Sequence, residues 1–296
     1  MASWHAGCVA SESRRPLPGG DDDRDRVHAG AGREGPDLPG RAALSRGDLW
    51  NARTVAWYER ANARSDYAPK VLAALADLLA GSTSALDVGA GFGALALPLA
   101  RRGLAVTALE PAPAMAAALA RAAGREGLAR LTVVEAAWGA APVAPHDLVV
   151  CAHVSPLVKR GGSFLREAGA VARRGVALVR DVPGGDKFFF GELYPRLLGR
   201  PYEHGCDADE ALDELARLGV RPTVTAIEYD SDQPFDSLDE ACDFWMEYMR
   251  LQGEAPRAFL RGFLAARLRR ADGEWIAPFR KRAAVIHWRT NGRSLP

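Results

Sequence analysis

The residues able to do chemistry gather at three places in the chain. Asp87-Val88-Gly89-Ala90-Gly91-Phe92-Gly93 sets an acid two residues before three alternating glycines. Glycine lets the backbone turn sharply and lets a ligand approach it closely. The helical pattern that follows, from about 92, would aim free N–H groups and a positive dipole end at that ligand. Glu110 closes a second apolar run about 20 residues on, the spacing that sets a carboxylate on a ribose diol. His153 follows a third run, Asp147-Leu148-Val149-Val150-Cys151-Ala152, where an imidazole could take up a proton near neutral pH. Asp181 and His204 are weaker candidates for that work, and His146 precedes its run, on the opposite edge.

Positioning these groups requires strands that end at one edge. Short apolar runs at about 84–88, 105–110, 131–135, 147–152 and 176–180 alternate with helical patterns at about 92–102, 113–126 and 162–173. Such alternation predicts an α/β fold with a doubly wound, mainly parallel sheet, and ligands in such sheets bind beyond the carboxyl ends of the strands. Two helices precede the first strand, Leu49 or Trp50 to Ala63 and Lys70 to Ala80, with Trp57, Tyr58 and Tyr67 as pocket candidates. After Pro183 the alternation stops. A helix over 209–218, a strand over 223–229, helices over 238–249 and 256–268, and a final strand over 282–288 follow. Residues 1–45, rich in Gly, Pro, Arg and Asp, bury too little apolar surface to order themselves and read as a disordered tail.

The glycine spacing is G-x-G-x-G, not the G-x-G-x-x-G of a dinucleotide fingerprint. Together with Asp87, the strand ending in Glu110 and the helix opening at Pro111-Ala112-Pro113, it resembles motif I and its neighbours in the class I S-adenosylmethionine-dependent methyltransferases. The resemblance covers about 84–181 and implies a Rossmann-like, seven-stranded sheet whose last strands form an antiparallel end. It implies that Gly89, Gly91 and Gly93 lie against the methionine part of S-adenosylmethionine, with Asp87 near its amino group. Glu110, with Pro111 beside it, would hold the ribose, and Ala137 and Trp138 would flank the adenine. An acid often takes the adenine amine in that family, and Ala137 stands about where it would be. His153 is the base candidate if the acceptor must lose a proton. On this reading residues 46–296 form one domain, with a cofactor core at about 81–182 and an acceptor cap at about 184–280, where Phe188, Tyr194 and Trp245 are pocket candidates.

Composition and local sequence narrow the acceptor. Net charge is +1, so bulk electrostatics suggest no nucleic-acid partner. No apolar run reaches the roughly 18 residues of a membrane span, and no apolar signal segment opens the chain. Cys8, Cys151, Cys206 and Cys242 are scattered, as reduced thiols of a cytoplasmic protein would be. The fourth run lacks both the Asn-Pro-Pro-aromatic tetrad of amine-directed enzymes and a Pro-Cys nucleophile. No His, Cys and acid cluster has metal-ligand spacing. A small organic acceptor of the methyl group, on O, N or C, is therefore the expectation, with the oligomeric state left open. A cofactor-binding or regulatory protein without transfer, an NAD(P)-dependent oxidoreductase, a macromolecular acceptor, and a turn that binds nothing are the alternatives.

Overall fold

Continuous apolar runs make the middle of the sheet because both of its faces are covered. The computed structural model describes residues 49–159, 161–182, 188–202 and 207–290, all within the unit Leu44–Pro296. The tail over 1–45, with Cys8, and Gly184 to Lys187, His204 and Cys206 lie outside the described residues. Strands β1 (Ser84–Val88), β2 (Ala105–Leu109), β3 (Leu131–Val134), β4 (His146–Ala152) and β5 (Ala172–Asp181) pair in parallel. Strand β6 (Thr223–Asp230) closes the far edge. It reaches β5 only through β10 (Arg280–Arg289), which runs antiparallel to both. The seven strands lie in the order β3-β2-β1-β4-β5-β10-β6, so the expected antiparallel end of the sheet is present.

Alternation along each strand divides the core. Ala85, Val106, Ala108, Leu148, Val150, Ala177 and Val179 face α2 (Tyr67–Ala74), α3 (Ala76–Leu79), α4 (Ala96–Arg101) and α5 (Pro113–Arg125). Leu86, Val88, Val149, Cys151, Val176 and Leu178 face α6 (Phe164–Val171) and α8 (Asp207–Arg217). Proline at the first position of α5 costs no hydrogen bond there. The helix expected from 92 forms only from Ala96. Positive φ at Gly89, Gly91 and Gly93 keeps the preceding backbone out of the helical region. Strand β5 starts four residues earlier than the apolar pattern suggests, at Ala172. The second helix starts at Tyr67, with Pro69 tolerated in its first turn, and breaks at Leu75.

The cap has its own core. Helix α1 (Ala52–Ala63) starts on a capping box, in which Asn51 accepts from the Arg53 and Thr54 amides and Thr54 accepts from the Asn51 amide. It packs with α7 (Phe190–Leu198), α9 (Leu238–Tyr248) and α10 (Glu254–Ala265) around Trp57, Phe188, Phe190, Phe235, Phe244 and Trp245. A small sheet, β7 (Gln233–Phe235), β8 (Arg269–Ala271) and β9 (Glu274–Ala277), completes it in the order β7-β9-β8. Neither that sheet nor α7 was expected from periodicity. The β8–β9 hairpin turns on Asp272-Gly273, both at positive φ, a dipeptide suited to such a turn.

The structure corrects the reading of several cap aromatics as pocket walls. Phe188 is buried, and Trp245 is buried with its indole N–H donating to the Phe188 carbonyl at 2.8 Å. The Trp57 indole donates to Glu240 at 2.8 Å, and Tyr58 stacks on Tyr248. These rings hold the cap together. Tyr194 packs against Phe190 and Tyr202 at its margin. Trp245→Ala should therefore destabilise the protein by about 3–5 kcal/mol, the usual cost of emptying a large aromatic site, as measured by urea unfolding. A loss below about 1 kcal/mol would show that the ring is not part of the core.

Candidate functional site

Strand β1 delivers the glycine loop to the carboxyl edge of the sheet. The Gly89 and Ala90 amides both donate to the Leu109 carbonyl at 2.9 Å, which ties the loop to the end of β2. All three glycines have positive φ: 72° at Gly89, 58° at Gly91 and 99° at Gly93. Their surroundings differ. A Cβ on Gly89 would lie 2.4 Å from the Val154 side chain, and one on Gly93 would lie 2.4 Å from Leu119. Nothing lies within 4 Å of a Cβ on Gly91. Close packing accounts for the outer two glycines, and the middle one presents its backbone to open space.

Two buried carboxylates flank this loop. Glu110 accepts the Gly91 amide on Oε2 at 2.7 Å and the Ala112 amide on Oε1 at 2.8 Å. Each oxygen keeps a further lone-pair direction for another donor. The Ala96 amide, at the start of α4, favours the Asp87 charge. Burial, then the Glu110 charge, push the Asp87 carboxyl up to about 7, against the pull of the Ala96 amide. Burial raises Glu110 as well, opposed by its two amide donors. No basic side chain among the described residues offsets either shift. The pair therefore favours a ligand that brings positive charge and hydroxyl donors.

The ends of β4 and β5 supply a second group. His153, directly after β4, has φ 57°, uncommon outside glycine, and its amide donates to the Val179 carbonyl at 2.9 Å. Its Nδ1 lies 3.1 Å from Oδ1 of Asp181, the last residue of β5. That contact places the hydrogen on Nδ1 and leaves Nε2 as the basic nitrogen. The Tyr67 ring packs 5.6 Å from the imidazole. Sequence reasoning ranked Asp181 low and took Tyr67 as a pocket candidate without linking it to His153, because nothing in their local pattern shows that β5 and α2 converge there.

Other candidates fall elsewhere. Pro111 and Ala137 are exposed. Trp138 is half-buried on α6, donating from its indole to Glu167 at 2.6 Å and meeting Phe164 edge-on at 5.2 Å. His146 sits at the start of β4, on the opposite edge, with Nε2 2.9 Å from the Thr107 hydroxyl. Burial drives the Cys151 thiol up to about 12, which leaves it inert as a nucleophile. An open groove of about 710 Å³ runs on the outer flank of the loop, past Glu59, Leu72, Phe92 and Arg125, and includes none of Asp87, Glu110 and His153. No helix among the described residues is long and apolar enough to cross a membrane.

Residues 86–179 match the family model of a methyltransferase domain. Over 115 residues the chain is 39% identical to the ubiquinone biosynthesis O-methyltransferase of Methylocella silvestris, a stretch covering 38% of this chain and 41% of that protein. The match thus spans less than half the length of that curated relative. Among solved structures, a Bacillus halodurans protein described as a methyltransferase superposes with TM-score 0.45 and 18% identity, over 74% of this chain and 98% of that one. The magnesium protoporphyrin IX methyltransferase of Synechocystis PCC 6803, with bound SAH, gives TM-score 0.42 and 14% identity, over 83% and 89%.

The buried acid pair has a measurable consequence. Because the folded Asp87 pKa lies above its unfolded value, the native state binds the extra proton between about pH 4 and 7. Its contribution is fully present below pH 4 and is lost as pH rises through 7. Asp87→Asn keeps the shape of the side chain without the charge. It should be more stable than the parent by up to about 4 kcal/mol at pH 8, with the difference vanishing near pH 4. Urea unfolding across that range checks this, and a pH-independent difference would contradict it.

Proposed function

Because residues 86–179 match the model of a methyltransferase domain, we propose that the protein is a class I S-adenosylmethionine-dependent methyltransferase that transfers a methyl group to a small organic acceptor. One observation carries this reading. A glycine loop clamped by Glu110 lies at the same edge of the sheet as a histidine held by a carboxylate. The name of the Methylocella silvestris relative, an O-methyltransferase of ubiquinone biosynthesis, supports a small acceptor. A net charge of +1 offers no attraction for a nucleic acid.

In this reading residues 81–182 hold the cofactor and the region over 184–280 faces the acceptor. The residues present suit the cofactor: a sulfonium and an ammonium would meet the Asp87 and Glu110 charges, and a ribose diol would donate to the free lone pairs of Glu110. Gly91 leaves the backbone open to the methionine part. Gly89 and Gly93 shape that loop, and Pro111, Ala137 and Trp138 border the adenine side. When bound, S-adenosylmethionine supplies an electrophilic methyl group. The protein aligns the acceptor with it and excludes water. His153 Nε2 accepts the acceptor's proton, while Asp181 orients the ring and balances its new charge.

Two measurements test the assignment. Glu110→Ala should weaken S-adenosylmethionine and S-adenosylhomocysteine binding by about 1–3 kcal/mol in calorimetry, the loss expected for charged hydrogen bonds. Preferential binding of NAD(H) by the parent would replace this reading with a dehydrogenase. His153→Ala should lower turnover by about 10²–10⁴-fold, with S-adenosylhomocysteine affinity and melting temperature nearly unchanged. Unaltered turnover in a folded variant would remove His153 from the mechanism.

A further inference from the structure

One buried group beside the site is left without a partner. Tyr67 is 6% exposed, and its hydroxyl makes no hydrogen bond. The ring lies 5.6 Å from His153 and 4.9 Å from Tyr229. The charges of Asp87 and Asp181 both reach the hydroxyl. Its helix is anchored there. Asp66 accepts the Asp230 amide at 2.9 Å and pairs with Lys70 at 2.6 Å, and the Ser65 hydroxyl donates to the Asp230 carbonyl at 2.5 Å. A buried hydroxyl held without a partner is costly, and an incoming oxygen would remove that cost. Burial, with the nearby Tyr229, Asp87 and Asp181, raises the phenol well above its ordinary pKa, so it stays protonated and able to donate.

Resting on the methyltransferase reading, we propose that Tyr67 is a specificity-determining residue whose hydroxyl binds the nucleophilic oxygen of a hydroxyl-bearing acceptor, beside His153. A hydroxyl oxygen has two lone pairs. One accepts the Tyr67 O–H and the other forms the new O–CH₃ bond. The S–CH₃ bond breaks as that bond forms, sulfur keeps the electron pair, and the acceptor's proton goes to His153 Nε2. An amine nitrogen has a single lone pair, which a hydrogen bond from Tyr67 would occupy. A carboxylate at this place would face two like charges, Asp87 and Asp181. A neutral phenol or alcohol meets neither obstacle.

The test compares the full-length parent with Tyr67→Phe, which keeps the ring and removes only the oxygen. Both are given S-adenosylmethionine and a size-matched panel of catechols, phenols, benzyl alcohols, anilines and benzylamines, with the methylated atom read by mass spectrometry. The parent should methylate oxygen. Tyr67→Phe should lower kcat/KM for the best hydroxyl acceptor by about 10–100-fold, with S-adenosylhomocysteine affinity within about twofold and an equal or higher melting temperature. Methylation at nitrogen alone, no methylated hydroxyl compound, or an unchanged kcat/KM overturns the proposal. A lower melting temperature with weaker S-adenosylhomocysteine binding also overturns it, by making the hydroxyl structural. Failure of the parent to bind S-adenosylhomocysteine would instead remove the methyltransferase reading itself.

Discussion

The Glu110 carboxylate, bonded on one oxygen to Gly91 and on the other to Ala112, is the constraint on which the site depends. A loop with three positive-φ glycines has many conformations open to it. Hydrogen bonds to charged groups, each of the order of 1.5–3 kcal/mol, select one of them. The same carboxylate fixes the turn from β2 into α5, so two strand ends and one helix start share a single anchor. Burying that charge beside Asp87 is unfavourable without a compensating cation. The clamp thus builds into the protein an electrostatic need that a cationic ligand would answer.

Much of the central sheet was legible because its physics is local. Leu148 to Cys151 could hardly be anything but a strand covered on both faces. Asp87, the glycines and Glu110 were legible for the same reason, since strand-end acids and tight turns leave marks in neighbouring residues. The division of labour among the glycines was not. Gly93 looks like Gly91 in sequence, yet Leu119, brought in by α5, decides that one is packing and the other open. Asp87 too is tuned by the Ala96 amide at the start of α4, which depends on where the glycines allow that helix to begin.

The cap resisted reading because its aromatics satisfy two demands with the same letters. Phe188, Trp245 and Trp57 suit a pocket wall and a hydrophobic core equally well, and only the assembled geometry separates them. Edge-to-face contacts near 5 Å, such as Phe188 with Phe244, Phe279 and Phe190, knit the rings into one core. Such a core holds α1 to α7, α9 and α10. The short strands β7, β8 and β9 escaped notice because runs of three or four residues carry almost no periodicity.

Several unfavourable features of the described residues lie at one edge of the sheet. The raised acids Asp87 and Glu110, the left-handed backbone of His153 and the unpartnered hydroxyl of Tyr67 all lie at the carboxyl ends of the strands. At the opposite edge, His146 has partners for both ring nitrogens, Thr107 and the Ala144 carbonyl. Evolution tolerates strain and unmet polar groups where they serve binding or chemistry, and other contacts must hold them in place. Here those contacts are identifiable: the Val179 carbonyl for His153, β6 for Tyr67, and the amides of Gly91 and Ala112 for Glu110.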